Sequence, residues 1–349
     1  MANVRFLKDP GFLYDLFFLF VLKFNKETCL KNCVNRNSAE EDLAYYKSLT
    51  DEVGDISDSL LPFFYLREDN LCFMTTHYFR DLVSKDIESC SFNTVQKELK
   101  HPEQVAGQMM RFYFPELSDE QITTCKTSFV EISRVIHKSA YSAEIKNSLY
   151  SFFLYPEQSV QQLAYDMLAV KQTLSQRYER NYEKILELYQ QFDYEKTTSV
   201  LATMPNQTFD FSTVGEMYIS FCLCNIICIK LYISTTVPFF LLGKDYEAKI
   251  SELQTKSDRP ELDLLGTILS EKNRIELLDM IAKKGEVTIR DIEQELGIAG
   301  TNAYYHLSMM LRVGMVKTRN RGRTLLYSLS SEYFDLVATT LWEYSKNNK

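Results

Sequence analysis

The spacing of apolar and polar residues divides the chain into a long helical part, a short β-rich part and a second helical part. From Pro156 to Phe192, apolar residues recur every three or four positions, and Pro156 suits a first helical turn. Ser118 and Gln121 have the spacing of a capping box at a helix start. The predicted buried positions of the long helix are Val160, Leu163, Met167, Val170, Leu174 and Tyr178. The pattern therefore predicts a mainly helical N-terminal part.

The amino-acid composition changes between about residues 195 and 243, where β-branched and aromatic residues dominate. The segments TTSVLATM, GEMYISFCLCNIICIKLYIS and TVPFFLLG predict short strands or β-hairpins near 197–242. The stretch KSDRPELD has the composition of a linker. We therefore predict a mainly α protein. Residues 1–255 form a helix-rich regulatory or dimerisation domain with a small β region, and residues 262–349 form a second domain.

The second domain opens with two predicted helices. The segment SEKNRIELLDMIAKKG predicts a helix that ends at Gly285. Its predicted buried face comprises Ile275, Leu278 and Ile281. The segment TIRDIEQELG predicts the next helix, with Thr288 as N-cap, Asp291 three residues later and Gly297 at its end. A short turn and a third helical segment, TNAYYHLSMMLRVG, complete the pattern of a helix-turn-helix.

The third segment has two distinct faces at helical spacing. The predicted buried face comprises Ala303, Leu307, Met310 and Leu311. The opposite face comprises Thr301, Tyr305, Ser308 and Arg312, flanked by Asn302 and Tyr304. Hydroxyl, amide and guanidinium groups of this kind suit base edges in a DNA major groove. The first-turn backbone N–H groups of Gly300, Thr301 and Asn302 suit a phosphate. His306, on the flank, could contact DNA or form a hydrogen bond inside the domain.

A basic hairpin follows this helix. Asn320, Arg321 and Gly322 are turn-forming residues, and MVKTRNRGRTLLYSL alternates like two strands. No Asp or Glu occurs from Leu296 through Ser331. The cations of the predicted wing are Lys317, Arg319, Arg321 and Arg323. A helix with apolar positions Phe334, Val337, Leu341 and Tyr344 ends the chain.

The order of helix, helix, recognition helix, basic wing and terminal helix resembles the ArsR-type winged helix-turn-helix. The resemblance rests on TIRDIEQELGIAGTNAYYHLSMMLRVGMV, on the preceding SEKNRIELLDMIA helix and on the wing that ends in YSL, about a quarter of the chain. It implies DNA binding as a homodimer. In such relatives the terminal helix pairs across a two-fold axis with the helix before the core, here ELDLLGTIL. The N-terminal part resembles the uncharacterised domain that larger regulators of this type in Gram-positive bacteria carry.

Charge and composition limit the partners. The chain has 39 Lys and Arg residues and 47 Asp and Glu residues. Residues 261–349 contain 12 of each, so the whole net charge of -8 lies upstream of them. An acid-free basic stretch in such a chain indicates an anionic partner, although a solvated hairpin has the same composition. The N-terminal run FLYDLFFLFVLKF is too short to span a bilayer and differs from a secretory signal. We expect a cytoplasmic protein without a membrane partner.

No catalytic or metal motif stands out in the sequence. Phosphate loops and the motifs HExxH and GxSxG are absent, so we expect no enzyme and no cofactor. Residues 261–349 contain no cysteine, which departs from the metal-sensing ArsR members. Cys222, Cys224 and Cys228 share one strand parity and could form a thiol site. Burial on a core strand explains them more simply, and we predict no metal.

The leading hypothesis is a sequence-specific, homodimeric transcription regulator that binds double-stranded DNA. The resemblance implies repression as the commoner mode, whereas the sequence does not decide between repression and activation. The N-terminal domain would sense a small-molecule effector or set the dimer geometry. Its many aromatic residues could line an effector pocket or fill a core. The alternative is a winged-helix protein–protein interaction module without specific DNA binding.

Overall fold

The chain divides into two compact units. The computed structural model describes residues 3–33, 39–67, 70–202, 211, 214–232, 237–248, 260, 262–321 and 324–346. One unit comprises Met1–Phe192 with Gly215–Lys249, and the other comprises Asp193–Val214 with Ile250–Lys349. Residues 193–214 thus group with the C-terminal part, whereas the sequence placed them in 1–255. The domain bounds 1–255 and 262–349 stay predictions.

The first unit is mostly helical. Its helices are Lys8–Phe24 (α1), Lys26–Cys33 (α2), Ala39–Val53 (α3), Leu61–Phe64 (α4), Phe79–Lys85 (α5), Phe92–Glu98 (α6), Pro102–Tyr113 (α7), Asp119–Thr127 (α8), Phe129–Lys138 (α9), Ala143–Leu154 (α10), Pro156–Arg180 (α11) and Tyr182–Gln191 (α12). A 3-10 turn, Asp58–Leu60, precedes α4, and a π-helical segment, Phe73–Tyr78, precedes α5. Among the described residues, no helix combines the length and the apolar composition needed to cross a bilayer.

Local sequence signals position these helices. Both hydrogen bonds of the predicted capping box form at the start of α8, from Ser118 N–H to Gln121 Oε1 and from Gln121 N–H to Ser118 Oγ. The predicted helix from Pro156 to Phe192 is two helices, which meet at the non-helical residue Asn181. The predicted buried positions from Val160 to Tyr178 are all confirmed. The helical spacing of apolar residues predicted the buried face correctly but did not predict the break between the two helices.

The first unit also contains a four-stranded mixed sheet. Its strands are Asn3–Phe6 (β1), Glu216–Cys222 (β2), Ile229–Tyr232 (β3) and Phe239–Gly243 (β4). The spatial order is β1-β2-β4-β3, in which β1 and β4 run parallel to β2 and β3 pairs antiparallel to β4. The predicted hairpins near 197–242 are therefore only partly correct. Among the described strands, β3 and β4 form one antiparallel pair, β2 pairs in parallel with β4, and β1 pairs with β2 from a distant part of the chain.

The segment TTSVLATM is not a strand. Helix α13, Tyr194–Ala202, covers most of it and belongs to the second unit. Thr198 donates its hydroxyl hydrogen bond to the carbonyl oxygen of Tyr194, four residues earlier. This bond satisfies the hydroxyl within the helix, so the β-branched composition does not prevent helix formation.

Helix α1 lies directly on strand β2. The Gly11 N–H donates to Ser220 Oγ at 2.8 Å. A Cβ at residue 11 would lie 2.2 Å from the carbonyl oxygen of Phe221, so only glycine permits this approach. One turn later, the same face of α1 carries Asp15 toward the end of β2.

Asp15 is a fully buried carboxylate that fixes the loop after β2. Its oxygens accept hydrogen bonds from the hydroxyl of Tyr178 at 2.8 Å and from three consecutive backbone N–H groups. These belong to Leu223, Cys224 and Asn225, at 2.6, 2.9 and 3.2 Å. Burial raises the pKa of Asp15 to about 6, and the four donors act in the opposite direction.

Replacing Asp15 with alanine should lower the free energy of unfolding of the first unit by about 3 kcal/mol or more, because three buried N–H groups lose their acceptor and the Tyr178 hydroxyl loses one of its two acceptors. Far-UV circular dichroism in urea measures the loss. Fluorescence of Trp342, the single tryptophan, follows the other unit. Asp55→Ala, at an exposed position, is the control. Equal unfolding midpoints for the two variants would contradict the anchoring role.

The second unit contains the remaining elements. They are α13, already defined, and Leu262–Leu269 (α14), Lys272–Lys284 (α15), Ile289–Leu296 (α16), Gly300–Val313 (α17), Val316–Arg321 (β5), Thr324–Leu329 (β6) and Ser331–Lys346 (α18). One apolar core joins α14 to α18, and Leu277, Ile281, Ile292, Leu307 and Tyr327 lie at its centre.

Candidate nucleic-acid interface

Helices α16 and α17 meet at a short turn. Thr288 and Asp291 form both bonds of the predicted capping box at the start of α16. Helix α16 ends at Gly297, which adopts the left-handed conformation with φ 66°. Residues 297–299 connect the two helices, and α17 begins at Gly300. The predicted caps and the predicted turn are confirmed.

Helix α17, the predicted recognition helix, docks through the predicted face. Ala303, Leu307 and Met310 are all 0 % exposed, and Leu311 is partly buried against the same core. Tyr304 is 39 % exposed on the outer side. This packing holds the helix in place and turns its polar face outward.

The buried face of α15 differs from the prediction. Ile275 is 42 % exposed and Leu278 is only partly buried, whereas Leu277 and Ile281 are fully buried. Arg274 is buried beside them, where its Nη1 donates to the carbonyl oxygen of Thr267 at 2.8 Å. The prediction is therefore correct for Ile281 and wrong for Ile275, and Leu277 lies in the core although the sequence did not favour it.

His306 lies inside the domain and forms an internal hydrogen bond, the second of the two alternatives that the sequence left open. Its side chain is 3 % exposed. Its Nδ1 accepts a hydrogen bond from Arg274 Nε at 3.4 Å and lies 3.3 Å from Glu271 Oε2. Burial lowers the pKa of His306; the Arg274 cation acts in the same direction and Glu271 opposes it. The imidazole therefore contacts α15 through Arg274 and is almost fully buried inside the domain.

The outward side of α17 carries other residues that were predicted to contact DNA. Tyr304 is exposed, and Asn302, Tyr305 and Ser308 are half-buried at the surface. Ser308 donates its hydroxyl hydrogen bond to the carbonyl oxygen of Tyr305 at 2.7 Å. The structure thus brings an amide, two phenols and a hydroxyl onto one helix. The side chains of Thr301, Arg312 and Arg321, and all of Arg323, lie outside the described residues.

The N-terminus of α17 is already occupied in part. The Gly300 N–H donates to Glu293 Oε1 at 2.7 Å. The Asn302 N–H donates to the carbonyl oxygen of Ala299 at 2.8 Å. The first-turn N–H groups were predicted as phosphate donors, and two of the three have protein acceptors in this state. An anion there would have to replace the carboxylate of Glu293.

Strands β5 and β6 form the predicted wing. They pair antiparallel from Val316 with Leu329 to Arg321 with Thr324. Asn320 and Arg321 therefore belong to β5 and not to the turn. Val287 and Tyr327 exchange backbone hydrogen bonds of 2.9 and 2.8 Å, so the wing is joined to the segment before α16. This bridge places β5 and β6 beside the helix-turn-helix.

Two wing cations are paired with carboxylates. Arg319 donates from Nε and Nη2 to both carboxylate oxygens of Glu286, at 2.9 and 2.6 Å. Lys317 Nζ lies 2.6 Å from Glu332 Oε2. The hydrogen bond from Lys317 lowers the pKa of Glu332 to about 2. Both acids lie outside the acid-free stretch 296–331, so the sequence shows their presence and not their contacts.

The three cysteines of the considered thiol site do not share a strand. Strand β2 ends at Cys222, and Cys224 lies in the loop that Asp15 holds. The parity argument therefore fails. Cys222, Cys224 and Cys228 are buried, and burial raises the pKa of the first two thiols. Within the described ranges, no group of three or more His, Cys, Asp or Glu residues is arranged to hold a metal ion.

Two helices joined by a short turn, with a β-hairpin directly after the second, define the C-terminal part as a winged helix-turn-helix. A family model described as a helix-turn-helix domain matches residues 269–319, from the end of α14 into β5. The chain therefore carries a C-terminal helix-turn-helix domain. The predicted fold class, helix-rich with a small sheet region and this C-terminal domain, is confirmed. Such a domain indicates DNA as a partner and regulation of transcription as the role.

Acidification should destabilise the second unit through His306. The pKa of His306 is lower in the folded protein than in the unfolded chain. As the pH falls, the unfolded chain therefore takes up the proton first, near the ordinary pKa of about 6.5. Stability should be level above that pH and fall below it. In His306→Asn, which keeps an acceptor near Arg274, this acid-dependent loss should shrink. Urea unfolding followed by Trp342 fluorescence at several pH values measures it.

The matched control is His101→Asn, since His101 is exposed and belongs to the first unit. It should leave the pH dependence of Trp342 fluorescence unchanged. Identical acid profiles for wild type and His306→Asn would show that the buried imidazole is not responsible.

Proposed function

We propose that the protein is a sequence-specific transcription regulator of the ArsR-like type, which binds double-stranded DNA through its C-terminal unit. The observation that carries the proposal is the outward polar face of α17 with the basic wing beside it. The helix is fixed from behind by Ala303, Leu307 and Met310, so its outer residues have defined positions. We assign the protein no catalytic activity.

The contacts divide into two groups by chemistry. Asn302, Tyr305 and Ser308, together with Thr301 and Tyr304, are proposed to contact base edges or their surroundings. A side-chain amide can form two hydrogen bonds with adenine, and a hydroxyl can act as donor or acceptor to a base edge. The cations Arg312, Lys317, Arg319, Arg321 and Arg323 are proposed to contact phosphates or the minor groove, which fixes register and carries no sequence information.

The proposed homodimer is supported by an apolar stripe on α18. Tyr333 and Val337 face the core, whereas the outer side exposes large apolar residues. These are Phe334, Leu341, Trp342 and Tyr344, with exposed fractions of 37, 51, 60 and 60 %. The sequence placed Phe334, Leu341 and Tyr344 with Val337 on one packing stripe, so the single chain buries only part of it. A second copy would cover the rest and place two recognition helices roughly 10 base pairs apart or a multiple of that.

We further propose that the first unit receives the regulatory signal. A shallow groove of about 470 Å³ lies on α9 and α10. Its lining comprises Phe129, Val130, Ser133, Arg134, His137, Lys138 and Tyr150. An effector bound there would act by stabilising one of two dimer geometries that differ in DNA affinity. Repression is the mode that the ArsR resemblance favours, and a cytoplasmic location agrees with a DNA target.

DNA affinity should fall steeply as salt rises, because each phosphate contact releases about 0.9 counterion. Fluorescence anisotropy with DNA from upstream of the protein's own gene measures it, and selection from random duplexes finds the preferred site. Asn302→Ala should weaken the preferred site by about 1–3 kcal/mol and relax its sequence at one position. Unrelated duplexes should bind this variant as they bind wild type.

The interaction-module alternative predicts a different result. A protein-binding winged helix has no reason to hold duplex DNA with a steep salt dependence. Salt-insensitive or undetectable binding to every duplex would contradict the proposal and favour that alternative.

Leu341→Glu should dissociate the dimer, because it places a carboxylate in an apolar interface. Sedimentation velocity at micromolar concentrations should show a dimer for wild type and a monomer for this variant. Affinity for a palindromic site should fall more than affinity for a half-site. Thr339→Glu adds the same charge on another side of α18 and should remain dimeric. A monomeric wild type would exclude the homodimer.

A further inference from the structure

We propose that Glu286 sets the DNA affinity of the wing by occupying Arg319 in the DNA-free protein. DNA phosphate would displace this carboxylate, so Glu286 lowers affinity for all DNA sequences alike. The inference rests on the proposed DNA-binding function and adds to it an acidic residue that acts against binding.

The geometry of the pair is that of a phosphate contact. Arg319 donates from Nε and Nη2 to the two oxygens of Glu286, at 2.9 and 2.6 Å. A guanidinium holds a phosphate with the same two parallel bonds. The Nε and Nη2 donors of Arg319 cannot bind the Glu286 carboxylate and a DNA phosphate at the same time. Phosphate and Glu286 therefore compete for this guanidinium.

The same relation recurs on this surface. Glu293 accepts from the Gly300 N–H at the start of α17, a position where helix ends bind anions. Glu332 accepts from Lys317 in the wing. These three acids, Glu286, Glu293 and Glu332, come from segments that flank the acid-free stretch 296–331. The proposed function assigns Arg319 and Lys317 to phosphate, and the Gly300 N–H is a phosphate donor predicted from the sequence.

The Arg319–Glu286 pair is accessible enough to exchange. The side chains are 58 and 38 % exposed. Exposed ion pairs are weak because water and salt screen them, and holding two long side chains costs entropy. A phosphate array presents many charges at once and can therefore displace one carboxylate. The displaced Glu286 would then lie near DNA, where its negative charge repels the phosphates and lowers affinity further.

An opposite role is possible for such a pair on physical grounds. Glu286 would then hold the guanidinium in the orientation that DNA requires and stay bound to it in the complex. Removing the carboxylate would in that case weaken binding. The sign of the change in affinity thus separates displacement from positioning.

The test compares Glu286→Gln with Glu276→Gln in the full-length protein. Both variants remove one negative charge from the second unit, so their effects on net charge are equal. Glu276 pairs with Lys272 at 3.3 Å on α15, and neither residue belongs to the proposed interface. Affinities for the preferred duplex and for an unrelated duplex are measured by anisotropy over a salt series.

Glu286→Gln should bind both duplexes roughly two- to fivefold more tightly at low salt, the range that weak exposed pairs allow. Its salt dependence should steepen by at most about 0.9 in the log–log slope. The control should change much less. In an Arg319→Ala background, the additional Glu286→Gln change should have little effect, because the competed donor is gone.

Weaker binding by Glu286→Gln, or binding equal to that of Glu276→Gln, would overturn this inference alone while the proposed function stands. A gain restricted to the preferred duplex would also overturn it, since phosphates carry no sequence information. Absence of salt-dependent DNA binding by the wild type would instead overturn the proposed function and this inference together.

Discussion

The position of every proposed DNA contact depends on one buried layer beneath the recognition helix. Ala303, Leu307 and Met310 fill this layer from α17, and Tyr327 fills it from the wing. The backbone pairing of Tyr327 with Val287 then joins the wing to the chain before α16. Because close-packed interiors tolerate little displacement, the helix and the wing have a fixed relation to each other. Polar residues outside the layer can vary without disturbing that relation, which separates what is recognised from what holds the fold.

The ion pairs on the outer surface of the second unit differ in strength and in origin from the apolar packing below them. The sequence suggested a basic stretch facing solvent, because residues 296–331 contain no acid. In the folded unit, Glu286, which precedes this stretch, pairs with Arg319, and Glu332, which follows it, pairs with Lys317. Their contacts are exposed and therefore weak compared with the apolar layer. The wing thus combines a firmly held backbone with side-chain charges that can change partners.

The parts that the sequence predicted well are those with local causes. Capping boxes need residues three positions apart, and the two faces of α17 need only a helical period. The sheet was harder, because β1 pairs with β2 across more than two hundred residues of chain. On α15, Ile275 and Leu277 are both apolar, so helical spacing alone did not decide which of these two side chains faces the core. His306 was ambiguous for the same reason: a polar residue on the flank of a helix becomes internal only if another element, here Arg274, provides its partner.

The charges of the interface show why a count of cations overstates DNA affinity. A cation that is paired in the free protein contributes only the difference between its phosphate contact and the contact it leaves. That difference is small for each pair, and it acts on all DNA sequences alike because phosphates are common to all. In the proposed function, discrimination between sequences is left to the uncharged polar residues of α17, Asn302 and the hydroxyl-bearing residues. Under this proposal, the paired cations keep non-specific binding weak, and the residues proposed to read the bases are not altered.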